Sequence, residues 1–109
     1  MKTVIIDGQE YREVRSTGSI TLVRTFSAGV HFGTLKSRDG KEVVLENARR
    51  LWSWTGACSL SQVAMDGVDL SASKISVSVP YIELTEAIEI IPMSKDAGEA
   101  MMGAKSWQR

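Results

Sequence analysis

Two dense runs hold most of the side chains in this sequence that are able to do chemistry. The first is Val23-Arg24-Thr25-Phe26-Ser27-Ala28-Gly29-Val30-His31-Phe32-Gly33, and the second is Asn47-Ala48-Arg49-Arg50-Leu51-Trp52-Ser53-Trp54. Together they carry the single His, both Phe, two of the three Trp and three Arg. Guanidinium groups pair with phosphate through a two-pronged fork and stack on rings, and aromatic side chains stack on bases. The combination suits a planar, anionic ligand such as a nucleotide. Arg24, Arg49 and Arg50 would meet phosphates, and His31, Phe32, Trp52 or Trp54 would stack on bases. The Ala28-Gly29 turn would offer backbone N–H donors to an anion.

Other chemistries find less support. Cys58 and His31 could make a thiolate and its base, but Cys58 lies between Ala57 and a helix-start signal, where a small buried side chain fits. With one His and one Cys, a zinc site would need carboxylates or a second subunit, and no cofactor is expected. Glu83, Glu86 and Glu89 fall three apart, which suits a solvated acidic edge better than a catalytic carboxylate pair. The glycines of the first run lack the Lys-Ser/Thr ending of a phosphate-binding loop and the spacing of a dinucleotide fingerprint. A non-enzymatic role follows as the expectation. Arg49 and Arg50 are adjacent, so on a strand they face opposite sides and one of them should be exposed.

Thirteen basic and thirteen acidic residues cancel, leaving no cationic field for duplex DNA. The 109 residues suit one domain with a small core. A single Cys excludes an internal disulfide and fits a reducing compartment. No run approaches the length of a membrane span, and the start of the chain lacks the apolar core of a signal peptide, so the cytoplasm is the expected location.

The elements that must position these groups are short. Lys2 to Ile6 and Gln9 to Arg15 read as a hairpin about Asp7-Gly8. Ile20 to Phe26 alternates as a strand, Ser27-Ala28-Gly29 turns, and Val30 to Ser37 returns. Arg38-Asp39-Gly40-Lys41 is a hairpin turn leading into Lys41 to Leu45. Asn47 to Trp54 reads as a separate strand showing Arg50, Trp52 and Trp54 on one face, or as one helical turn; the alternation favours the strand. Ser59 to Gln62 matches a capping box opening a helix of two turns that ends at Gly67. Lys74 to Val79 is a strand ended by Pro80, Ile82 to Ile91 is a last strand, and Ser94 caps a helix closed by Gly103. The sum is an α+β domain: a small, mainly antiparallel sheet of seven or eight strands with two short helices.

The two runs, continued through Thr55-Gly56-Ala57, Ser59-Leu60-Ser61-Gln62-Val63-Ala64 and Leu84-Thr85-Glu86-Ala87-Ile88-Glu89-Ile90-Ile91-Pro92, resemble a family of small tailed-phage proteins built on a domain of unknown function. The resemblance spans roughly Leu22 to Glu99, implies that the hairpin ahead of it is an extension over residues 1–18 preceding a core over residues 19–109, and carries no catalytic residues with it. It implies a phage accessory protein in the host cytoplasm. By analogy of size and origin it implies a counter-defence sponge, a homo-oligomer that sequesters a cyclic oligonucleotide or ADP-ribose-derived immune signal. A module that blocks a host defence or replication protein, or a small virion component, is the alternative.

Overall fold

Alternation along residues 20–53 builds a three-stranded meander, and it is apolar on both faces at its centre. The computed structural model describes residues 19–107; the hairpin expected over residues 1–18 lies outside them. Strand β1 (Ile20–Thr25) pairs with β2 (Val30–Asp39), which pairs with β3 (Glu42–Ser53). Helix α1 (Leu60–Asp66) follows, then β4 (Lys74–Ile75), β5 (Val79–Leu84), β6 (Ala87–Pro92) and helix α2 (Lys95–Met102). The described residues thus form a small antiparallel sheet with two short helices. The strand order is β4-β3-β2-β1-β6, with β5 also paired to β3.

That order makes the sheet curl. Only Thr85 and Glu86 separate β5 from β6, yet β5 lies on β3 and β6 lies on β1, at opposite ends of the meander. Two backbone bonds close the corner, from Phe26 N–H to Glu86 O at 2.9 Å and from Ala87 N–H to Lys41 O at 3.1 Å. The result is a partly open barrel. Bulges supply the bend, as extra residues increase local twist. The β2–β3 register shifts between Phe32 and Thr34, and Asn47 sits at φ 53°. Gly33 lies where the strands cross most tightly: a Cβ there would stand 2.7 Å from Glu46 O and 3.1 Å from Ala48 Cα.

Each face of the meander has its own core. Leu22, Phe32, Leu51 and Ile75 pack beneath the helices with Val63, Ala64 and Met101. Val23, Leu35, Val43, Leu45, Ala48, Leu84 and Ala87 fill the inside of the curl. Fully burying each large side chain contributes roughly 1.5–3 kcal/mol. The helices are stopped and started by the residues expected. Ser59 Oγ accepts from Gln62 N–H and Gly67 ends α1 at φ 81°. Ser94 Oγ accepts from Ala97 N–H while donating to Met65 O, which ties the start of α2 to the end of α1.

Three expectations for the strands need correction. Residues 42–53 are one continuous strand, with the break expected before Asn47 reduced to a bulge. The strand at Lys74 stops at Ile75, because Ser76 turns aside to bond the Arg50 backbone; Val79 then begins β5. Pro80 is tolerated inside β5 because, among the described residues, that strand pairs on one side only. The last strand is split in two by the corner at Thr85-Glu86. Cys58 is exposed rather than buried, and Gln62 Oε1 reaches back to its N–H and thiol rather than to Ser59 N–H.

The crossing at Gly33 gives a direct test of the curl. Gly33→Ala pushes a methyl into strand backbone and should cost about 1–3 kcal/mol, as other overpacked sites do. Thermal melts of the two proteins measure it, and an unchanged midpoint would mean the strands part freely at the bulge.

Candidate functional site

Strand β3 carries Arg49 and Arg50 back to back, and the structure gives them different work. Arg49 shares a side with Leu51 and is only 4% exposed. Its guanidinium donates to Ser76 O at 2.9 Å, Met102 O at 2.9 Å, Ala104 O at 2.7 Å, Met101 O at 3.3 Å and Ser106 Oγ at 3.1 Å. Helix α2 has no basic residue in its last turn. Arg49 supplies one from the sheet, bonding the carbonyls at and just beyond the helix end and meeting the negative end of its dipole. Burial lowers its affinity for the proton, yet a guanidinium stays charged. The expectation that Arg49 meets phosphate is therefore corrected: its donors are spent on the fold.

Arg50 lies on the other side, in a transverse row with His31 and Val23. Its guanidinium sits 4.1 Å from the Trp52 ring centroid. Its far edge rests on Gly29, where a Cβ would come within 2.8 Å of an Arg50 nitrogen. Gly29 holds φ 87°, so the turn needs glycine for both conformation and space. No described carboxylate lies within ion-pair distance of Arg50. Trp52 is 51% exposed. Its edge meets Trp107, with centroids 6.3 Å apart and planes at 62°. The Lys74 ammonium stands 5.0 Å from the Trp107 centroid. Beside this platform opens a shallow pocket of about 290 Å³, lined by His31, Ala48, Arg50, Trp52, Val77 and Val79 among others.

The remaining expected residues separate. Phe32 is fully buried among the core beneath the helices, so no ring face is left for a base. Trp54 is half-buried against the same core, because the strand ends at Ser53 and the chain turns inward. Arg24 faces away from Arg50 and pairs with Glu89 at 3.3 Å. The Ala28 N–H is taken by Thr25 Oγ1 at 2.8 Å, and so offers no donor to an anion. His31, 5% exposed, donates from Nε2 to Ala28 O at 2.9 Å and props the turn against which Arg50 rests. Burial, reinforced by the nearby Arg50 charge, holds its imidazole below the ordinary 6.5, although the bond to Ala28 pulls the other way. Of the nine residues expected, Gly29, Arg50 and Trp52 form the platform, with His31 behind it. Lys74 and Trp107 join it from outside the two runs, placed by the β3–β4 pairing and by a bond from Trp107 N–H to Ile75 O at 2.7 Å. Among the described residues no cluster of His, Cys, Asp or Glu is arranged to hold a metal, and no helix is long and apolar enough to cross a membrane.

Two outcomes follow from these roles. Arg49→Ala removes the donor shared by several half-buried carbonyls and should destabilise the fold by about 2–4 kcal/mol, whereas Arg50→Ala should change stability by less than about 1 kcal/mol. Urea unfolding of both variants decides it, and equal losses would refute the division. The His31 shift fixes a sign for pH. The unfolded chain protonates first, so stability is complete above 6.5 and falls as the pH drops toward the folded value. Urea midpoints measured from about pH 7.5 down to about pH 5.5 should decline in the native protein and decline less in His31→Gln.

No curated protein matches the chain. Among solved structures, a heptameric archaeal Sm protein is similar over 72% of this chain and 91% of its own, with 18% identity and a TM-score of 0.46. The family model that matches is a domain of unknown function, DUF6948, over residues 18–101, and the chain belongs to that family.

Proposed function

We propose that this protein is a non-enzymatic binder that sequesters a small nucleotide signal, acting as a phage counter-defence factor against a host immune second messenger. The observation that carries the reading is Arg50, a guanidinium held on the Trp52 ring with no carboxylate partner among the described residues. An arginine fixed in this way presents its fork to a phosphate, and the exposed indole beside it takes a base. The pocket is at the small end of ligand-site volumes, enough for one base and its phosphate. A larger ligand is enclosed only if a second copy covers the platform, so the reading includes a homo-oligomer. Among the described residues, strands β5 and β6 each pair on one side only, and Val79, Tyr81 and Ile88 on them are exposed.

Exposed Trp52, Tyr81 and Val77 also support a second reading, a surface that blocks a host protein. Incubation with a panel of cyclic oligonucleotides and ADP-ribose derivatives, followed by heating, separates the readings. Release of unchanged ligand supports sequestration, a new product would make the protein an enzyme, and no retention favours the protein-blocking surface. For a retained ligand, Arg50→Ala should weaken binding by roughly 30- to 1000-fold, and Arg50→Lys should restore only part of it because an ammonium lacks the fork. A folded Arg50→Ala protein with full affinity would remove Arg50 from the site.

A further inference from the structure

We infer that His31 couples anion binding at Arg50 to the uptake of one proton, so that the site holds its ligand more tightly in mildly acidic solution; this rests on the phosphate-binding reading of Arg50. The two side chains lie across from each other on β2 and β3 and line the same pocket. His31 Nε2 meets the Ala28 carbonyl, which can only accept. Nε2 therefore carries the hydrogen of the neutral ring, and Nδ1 is the nitrogen that takes a proton from solvent. The imidazolium keeps the bond to Ala28, so the turn that braces Arg50 stays in place when the ring becomes charged.

Few groups bear on that proton. Val23 faces His31 from β1, with Ile90 of β6 beyond it, and Arg50 faces it from β3. The turn over residues 26–29 has no titratable side chain, and no carboxylate lines the pocket. Nearby charges are engaged elsewhere: Arg24 with Glu89, Glu86 with the Ser27 hydroxyl, and Arg49 with carbonyls at the end of α2. Burial opposes protonation most, the Ala28 bond favours it, and Arg50 is the charge that opposes it. An anion on the Arg50 fork cancels that repulsion and adds negative charge beside the ring, so protonation becomes easier once the ligand is bound. Linkage is reciprocal, and the proton must tighten the ligand by the same factor. Above the imidazole range both states are neutral and affinity is level. As the pH falls through the midpoint of the liganded protein, affinity climbs.

His31 is the sole histidine, so its ring gives a single NMR titration. The curve is recorded from about pH 7.5 to about pH 5.5, alone and with cyclic diadenylate, ADP-ribose or inorganic sulfate, none of which changes charge over that range. A probe that binds should raise the His31 midpoint by about 0.5 to 1 pH unit and bind about 3- to 10-fold more tightly at the acid end, one pH unit being tenfold. In Arg50→Gln the midpoint should rise with no anion present. In His31→Gln, whose amide can still donate to Ala28 O, affinity should be level with pH. If a probe binds and the midpoint stays, if Arg50→Gln leaves it unmoved, or if His31→Gln still binds more tightly in acid, the coupling is overturned while Arg50 remains a phosphate site. If none of the three probes binds at either end of the range, the reading of Arg50 falls and the coupling with it.

Discussion

The buried guanidinium of Arg49 is the contact through which the sheet, helix α2 and the strap that follows it, residues 103–107, are joined. A charge this far from water is costly unless each of its donors finds a partner. Here the partners are carbonyls at the end of α2 and in the strap beyond it, together with Ser106 Oγ. The helix end needs a cation and the cation needs acceptors, so each satisfies the other. The strap is thereby drawn across β4, where Trp107 bonds to Ile75 and reaches Trp52. A residue with almost no exposed surface thus decides where an exposed aromatic stands.

Curvature is the second constraint, and it separates the two faces of the sheet. The short corner between β5 and β6 forces the meander to close on itself, placing Val23, Leu45 and Leu84 inside the curl and leaving the other face to the helices. His31 and Arg50 extend the inner row toward the open end. The platform therefore sits where the barrel's own packing runs out. Side chains at such an edge are held by a rigid sheet from behind and open to solvent in front.

Local physics made much of this legible in the sequence. Alternation marked β1 and β2, Asp39-Gly40 marked their hairpin into β3, and Ser59, Gly67, Ser94 and Gly103 marked both helices to within a residue. What stayed hidden depended on contacts distant along the chain. Phe32 and Arg49 look like ligand groups by type, but whether a side chain faces a helix or solvent is settled by the elements that cover it. Adjacency did predict that Arg49 and Arg50 would differ; it could not say which one would be buried. Lys74-Ile75-Ser76-Val77 alternates well enough for a full strand, yet the Ser76 hydroxyl and N–H are claimed by the Arg50 backbone and the strand ends early. Trp107 carries no local signal at all, since its place comes from the hold of Arg49 on the strap.

Ser76 also explains why the backbone under the platform is held in place. Its carbonyl receives Arg49 Nε, its N–H donates to Arg50 O and its hydroxyl accepts from Arg50 N–H. The backbone beneath Arg50 is thereby fixed from both faces of the sheet. Above it, Gly29 and the Trp52 ring confine the guanidinium itself. A free arginine gives up about 2 kcal/mol of rotamer freedom when it is immobilised on an anion. For Arg50 most of that loss has been incurred during folding, alongside contacts that the fold makes anyway. On the proposed reading, the gain on meeting a phosphate would be closer to the full strength of the paired bonds, which would be the advantage of carrying a binding arginine on a strand braced by glycine and tryptophan rather than on a loop.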